Sequence, residues 1–240
     1  MKRLFTIILF TLLSSIALQG QIRTITNLPK YDQKKYHFGF ILGLNQMDFV
    51  IKTNPSITRR DSVYGVVTDG EMGFNIGIVS NLRIAEYLDL RFIPTLSFGD
   101  RNIIYSVKKF SEFIGDTIFT ETEKKVESTY IDFPFYLKYK SKRLGNTRAY
   151  VIGGFRYGID LASQAKKKEK EDEYLIKLVK DDLQFELGVG FDFYLTYFKF
   201  GIEAKMGYGI SDLLKRENNI YTNSIDWLSS KVFQLSFTFE

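Results

Sequence analysis

The sequence predicts an all-β fold, an eight-stranded antiparallel up-and-down transmembrane β-barrel with a filled lumen, short periplasmic turns and long extracellular loops. Three observations predict it. Eight segments alternate, residue by residue, between an apolar or aromatic face and a charged, glycine-rich face. Long polar connections alternate strictly with short ones. The 240 residues are 45% hydrophobic and 16% aromatic, yet hold no apolar run long enough for a transmembrane helix. Alternation marks strands because successive side chains point to opposite faces. Strands cross a bilayer only as a closed ladder, since hydrocarbon offers the backbone no hydrogen-bond partners.

The first twenty residues, MKRLFTIILFTLLSSIALQG, set Lys2 and Arg3 before an apolar run from Leu4 to Leu13, followed by small and polar residues. This is a secretory signal peptide; cleavage after Ala17 and after Gly20 both fit, and the mature chain is exported. The expected organisation is a signal peptide over 1–20, a periplasmic linker over 21–36 and the barrel domain over 37–240. The linker is polar and carries Pro29, Arg23, Lys30, Lys34 and Lys35. It is expected to hang in the periplasm.

Each strand follows from its parity. The first sets Phe38, Phe40, Leu42 and Leu44 against His37, Gly39, Gly43 and Asn45. After Leu44 two polar residues, Asn45 and Gln46, precede Met47 and Phe49, so a bulge is expected there. The second has Phe74, Ile76 and Ile78; the third Leu88, Leu90, Phe92, Leu96 and Phe98. The fourth, YIDFPFYLKYK from Tyr130 to Lys140, keeps its phase across Pro134. Pro134 is therefore expected in a regular strand, forfeiting one ladder bond to one neighbour. The fifth runs through Val151, Phe155, Tyr157, Ile159 and Leu161, the sixth through Phe185 to Phe193, and the seventh through Phe198 to Ile210. The last, FQLSFTF, is an aromatic strand of the kind on which outer-membrane barrels close. Residues 51–71, 108–124, 163–182 and 211–229 are read as outer loops, and 85–87, 143–146 and 196–197 as periplasmic turns.

A soluble barrel would show the same alternation turned inside out. Lipid is placed on the apolar side because eight strands enclose only enough room for packed side chains, and the polar face offers glycines and ions of both signs. Those ions are expected to pair in the lumen: Arg91, Asp132, Lys138, Arg156, Glu186, Asp192, Lys199, Glu203 and Lys205. Tyr36, Tyr87, Tyr105, Tyr139, Tyr150, Tyr157, Tyr194, Tyr197, Tyr208 and Trp227 lie near predicted strand ends and are read as interfacial girdles.

No catalytic, cofactor-binding or metal residue is nominated. The chain has no cysteine and a single histidine, His37, which opens the first strand at the inner rim and is read as structural or interfacial. Asp181 with Asp182, and Glu171 with Asp172, lack the spacing and turn glycine of a calcium loop and are read as solvated carboxylates. The run KKKEKEDE from Lys166 to Glu173 is read as a solvated loop. Lys108, Lys109, Lys124 and Lys125 are placed where they would meet anionic headgroups. A formal charge of +5 without a reader motif gives no nucleic-acid partner, and no small-molecule substrate is evident. The expected partners are outer-membrane lipid and lipopolysaccharide, together with protein.

The stretch NLPKYDQKKYHFGFILGLN, Asn27 to Asn45, resembles the corresponding region of the PorT family, outer-membrane barrels required by the type IX secretion system and, in gliding bacteria, associated with gliding motility. The block IDFPFYLKY is similar to a strand motif of the wider outer-membrane β-barrel family to which PorT belongs. The resemblance implies a non-enzymatic part in assembling or operating the secretion machinery, with no catalytic residues to transfer. It makes Asn27, Leu28, Pro29, Tyr31 and Asp32 the expected partner contacts. The rival reading is a cell-surface binding module or adhesin acting through its outer loops.

Overall fold

The computed structural model describes residues 26–54, 63–111, 116–162, 177–216 and 220–240. The predicted signal peptide and the run Lys166 to Glu173 lie outside them. In chain order the strands are β1 (Tyr36–Thr53), β2 (Val63–Arg83), β3 (Leu88–Phe92), β4 (Thr95–Ser111), β5 (Asp116–Lys140), β6 (Thr147–Asp160), β7 (Asp181–Tyr194), β8 (Lys199–Gly209) and β9 (Ile225–Phe239). Neighbours run antiparallel around a ring that closes where the first strand, β1, pairs with the last, β9. Among the described residues these nine strands make eight staves. β3 and β4 both lie between β2 and β5, and the register passes through their junction unbroken, with Phe92 opposite Phe135 and Thr95 opposite Asp132.

Two prolines explain the break. Pro134 lies in regular register opposite Arg156 of β6. On the other side its carbonyl accepts from the Ile93 amide at 3.4 Å, while its missing N–H leaves the Ile93 carbonyl without a ladder donor. The Thr95 hydroxyl fills that place, donating to the Ile93 oxygen at 2.7 Å. Pro94, next in the chain, accepts from Ile78 and donates nothing in return. Thr95→Val therefore strands a buried carbonyl. It should destabilise the barrel by about 1–3 kcal/mol in a thermal melt of the detergent-folded protein, and Pro134→Ala, which restores a donor, should recover part of that loss.

The lower staves carry the apolar face outward. Phe38, Phe40, Leu42, Phe74, Ile78, Phe135, Leu137, Phe155 and Leu187 are all exposed, a belt fit for lipid. Above the belt the polarity inverts while the parity holds. On β1 the outward residues change from Leu44 to Gln46 and Asp48, whereas Met47 and Phe49 turn inward and are buried. The expected bulge after Leu44 is absent: β1 keeps one register against β2 from Tyr36 to Met47, and its shift against β9 comes only at Lys52/Thr53. The hydrophobic pattern changed phase because the surroundings changed, from lipid outside to a dry core inside.

That core holds Phe49, Val63, Ile103, Tyr105, Val107, Leu178, Leu213, Leu214, Ile225 and Leu228. The upper reaches of β2, β4 and β5 form one of its walls. The other is β1 and β9, continued by Leu213, which accepts from Val179 and donates to Leu228, and by the Leu178 to Leu214 bridge. Much of the sequence read as outer loop is thus strand, including 63–71, 108–111, 116–124 and 225–229. These stretches escaped an apolar alternation test because their outward faces are wet: Glu121, Glu123, Lys125 and Glu127 alternate on β5 with residues facing the core. β2 accommodates the change with register shifts at Val63/Gly65 and Gly70/Phe74.

Three tyrosines leave the predicted girdles. Tyr36, Tyr139, Tyr157, Tyr197 and Tyr208 are exposed, as are Tyr87 and Trp227, but Tyr105, Tyr150 and Tyr194 are buried inside the ring. Their parity is inward: Tyr150 and Tyr194 hydrogen-bond carboxylates there, whereas Tyr105 packs in the apolar core.

Candidate functional site

All nine ions nominated for the lumen are buried, none more than 5% exposed. The staves point them inward from β3, β5, β6, β7 and β8. Arg91 pairs with Glu203 at 2.9 Å, and Glu203 also takes Lys205 at 2.9 Å. Lys138 pairs with Asp192 at 2.8 Å. Arg156 reaches Glu186 at 3.0 Å and Asp132 at 3.6 Å, while Ser97 donates to Asp132 at 2.6 Å. The nine hold five cations and four carboxylates; the missing carboxylate is Glu240, which takes Lys199 at 2.8 Å and also pairs with Arg91. Its signal was in the sequence, since Phe237 and Phe239 face outward and the next residue must face in. A further pair, Lys140 with Asp89 at 2.6 Å, lies toward the rim.

Aromatic rings fill the space between the ions. Tyr150 donates to Glu203 at 2.9 Å and lies under the Lys138 ammonium, 3.6 Å from its ring centre. Gly190, opposite Tyr150 on β7, makes this posture available, because a Cβ there would sit 2.4 Å from the ring. Tyr136 donates to Glu186 and lies under Lys205. Arg101, between this network and the upper core, donates to Ser128, Tyr130 and Ser230 and stacks on Phe49 at 4.2 Å. Side chains therefore occupy the lumen from the ionic layer up to the apolar core.

The periplasmic mouth is covered by the chain itself. The linker was expected to hang free; instead Asn27 to Lys35 folds back as a strap, because it carries the groups the mouth lacks. The Asp32 carboxylate accepts both arms of the Arg148 guanidinium at 3.0 and 3.1 Å and the Tyr194 hydroxyl at 2.9 Å. Its carbonyl accepts from Arg83. Asn27 donates to Asn146 at 2.9 Å and to the Tyr194 carbonyl at 3.0 Å, and Arg143 donates to the Asn27 carbonyl. Leu28 holds a left-handed φ of 48°, a conformation that costs about 1–3 kcal/mol outside glycine and that these flanking bonds maintain. Tyr31 lies on His37, ring centres 4.1 Å apart, with the Lys199 ammonium 4.9 Å from its ring and its hydroxyl donating to Glu240 at 3.4 Å. Burial pushes the Tyr31 pKa well up, so the phenol keeps its proton as a donor. His37 donates from Nε2 to the Tyr31 carbonyl at 2.8 Å.

The five expected contact residues are thus gathered at one place, with Pro29 and Asp32 lining a pocket there. Other nominated groups are not gathered. Asp181 and Asp182 belong to β7 rather than to a loop, the first accepting from Tyr157 and the second buried and accepting from Gln184. Lys125 pairs with Asp100 at 2.9 Å on the outer wall. Glu171 and Asp172 lie outside the described residues.

The model of the outer membrane protein β-barrel domain family matches residues 20–215. The chain belongs to this family. Its place is the outer membrane, and the short turns at 84–87, 141–146 and 195–198 share one end of the barrel with the strap. In structure this outer-membrane barrel is similar to neisserial surface protein A, at 9% identity and a TM-score of 0.43, covering 86% of this chain and 99% of that one. It is also similar to the outer membrane protein OprG from Pseudomonas aeruginosa, at 12% identity and a TM-score of 0.44, covering 85% of this chain and 96% of that one. No curated protein matches the sequence.

Proposed function

We propose that this barrel works by protein contact, as a non-enzymatic outer-membrane component of the type IX protein secretion system of the PorT kind. The observation that carries the reading is the strap. Asn27 to Lys35, within the stretch that resembles PorT, is built onto the periplasmic mouth by a two-pronged Asp32 to Arg148 pair and by Tyr31 seated beside His37. It presents a defined surface to the periplasm, where secretion machinery meets the outer membrane. Conduction gains no support from a lumen filled by paired ions and a dry core.

The test is deletion of the gene, scored for export of secreted proteins, then complementation with a chain lacking residues 22–35. Export should fail in the deletion strain and stay impaired with the strapless chain, while heat-dependent gel mobility shows the barrel folded. Normal export in the deletion strain would remove the reading. A second reading, a cell-surface binding module, draws on the upper core, which makes the outer end a rigid platform. It predicts that changes to the outer surface abolish function and that loss of the strap is silent.

A further inference from the structure

The strap leaves a pocket of about 330 Å³ at the periplasmic mouth, bounded by Pro29, Asp32, Gln33, Arg83, Glu86, Tyr87, Lys142, Arg143 and Arg148. Four of these side chains are cations and two are carboxylates. Asp32 is already held by Arg148 and Tyr194, so the strap's own carboxylate shows what this mouth binds. Arg143 spends its guanidinium on the carbonyls of Gly145, Asn27 and Leu28. Arg83 holds the carbonyls of Ala85 and Asp32 through Nε and Nη1. Its Nη2 and the exposed Lys142 ammonium carry no hydrogen bond or ion pair among the described residues. Glu86 stands at the rim beside Tyr87.

Parity decides which anions can arrive. Arg83 and Arg148 lie on the inward face of their strands, and Lys142 continues the inward series of Lys138 and Lys140 past the end of β5. These cations therefore sit over the mouth rather than on the lipid wall, facing the aqueous periplasm and away from the phosphates of the surrounding leaflet. The strap adds exposed Lys30, Lys34 and Lys35 around the same opening, a positive field that would draw in an anionic chain.

We propose that this pocket docks an acidic segment of a periplasmic protein, one carboxylate entering between Arg83 and Lys142 beside the resident Asp32. The proposal rests on the reading that the barrel works by periplasmic contact, and it names the chemistry of that contact. The experiment uses the full mature chain in nanodiscs and a fluorescein-labelled oligoglutamate peptide, read by anisotropy. Saturable binding is expected. It should weaken at least tenfold when Arg83→Gln and Lys142→Gln are combined, weaken with Lys142→Glu alone, which touches no strap bond, and fall by much less when Lys30→Gln and Lys34→Gln remove the same charge outside the pocket. Absence of saturable binding would overturn the proposal, as would equal loss in both double variants. Competition by inorganic phosphate, or by phosphatidylglycerol in the disc, as strong as that of unlabelled peptide would also overturn it, assigning the pocket to phosphate or to lipid. Failure here with export still dependent on the gene removes only the acidic-segment proposal; site-specific binding with normal export removes only the secretion reading.

Discussion

Arg91→Met should be among the most damaging single substitutions in this barrel. Arg91 is fully buried and serves two carboxylates, Glu203 and Glu240, whose ion-pair partners fall to Lys205 and Lys199 once it is gone. Removing one member of a buried ionic group leaves charge without compensation, at a cost of about 3–5 kcal/mol. The midpoint of urea unfolding, followed by heat-dependent gel mobility, should fall accordingly. Adding Glu240→Gln removes the stranded charge, and the double variant should be more stable than Arg91→Met alone. An unchanged midpoint for Arg91→Met would mean that the network does not hold the lumen together.

The second large effect is expected at the other end. Leu228 is fully buried between the upper walls, in contact with the core of Phe49, Ile103 and Leu213. Leu228→Ala should cost about 2–5 kcal/mol through the cavity it leaves, and Leu228→Asp more, since a carboxylate would enter a site with no partner. The consequence should be local. Protease added to intact cells should cut the variant within the outer segments, while the belt strands stay protected by lipid. If Leu228→Asp instead abolished insertion, the upper core would be part of what folds the membrane barrel.

Much of this was legible in the sequence, for a physical reason. In the membrane a residue is either in lipid or in the lumen, so parity alone sorted Phe135 from Lys138 and Leu187 from Glu186, and gave the eight staves. It also placed Pro134, although Thr95 as the substitute donor needed the neighbouring strand in view. Above the belt the same rule reverses, so Met47 and Phe49 read as a slipped strand and Glu121 and Glu123 as loop. The girdle tyrosines failed where proximity to a strand end was allowed to outrank parity: Tyr150 alternates with Val151 and had to face in. At the mouth, Asn27 to Lys35 has neither period nor apolar face. Its docking depends on Arg83, Arg143, Arg148 and Tyr194, which the chain supplies 50 to 170 residues later, and no local pattern announces such a match.

Glu240 also sets an order of events. Before β9 pairs with β1 the ring is open, and the nine nominated lumen ions hold one cation more than they hold carboxylates. Registering Phe239 opposite both Phe40 and Phe200 carries Glu240 between Arg91 and Lys199, so closing the wall also brings these two cations their shared carboxylate. Tyr31, whose hydroxyl meets the same carboxylate, gains that contact only once β9 is in place. The strap thus spans the seam of the finished ring, one hydrogen bond of its seat coming from the residue that follows the closing strand.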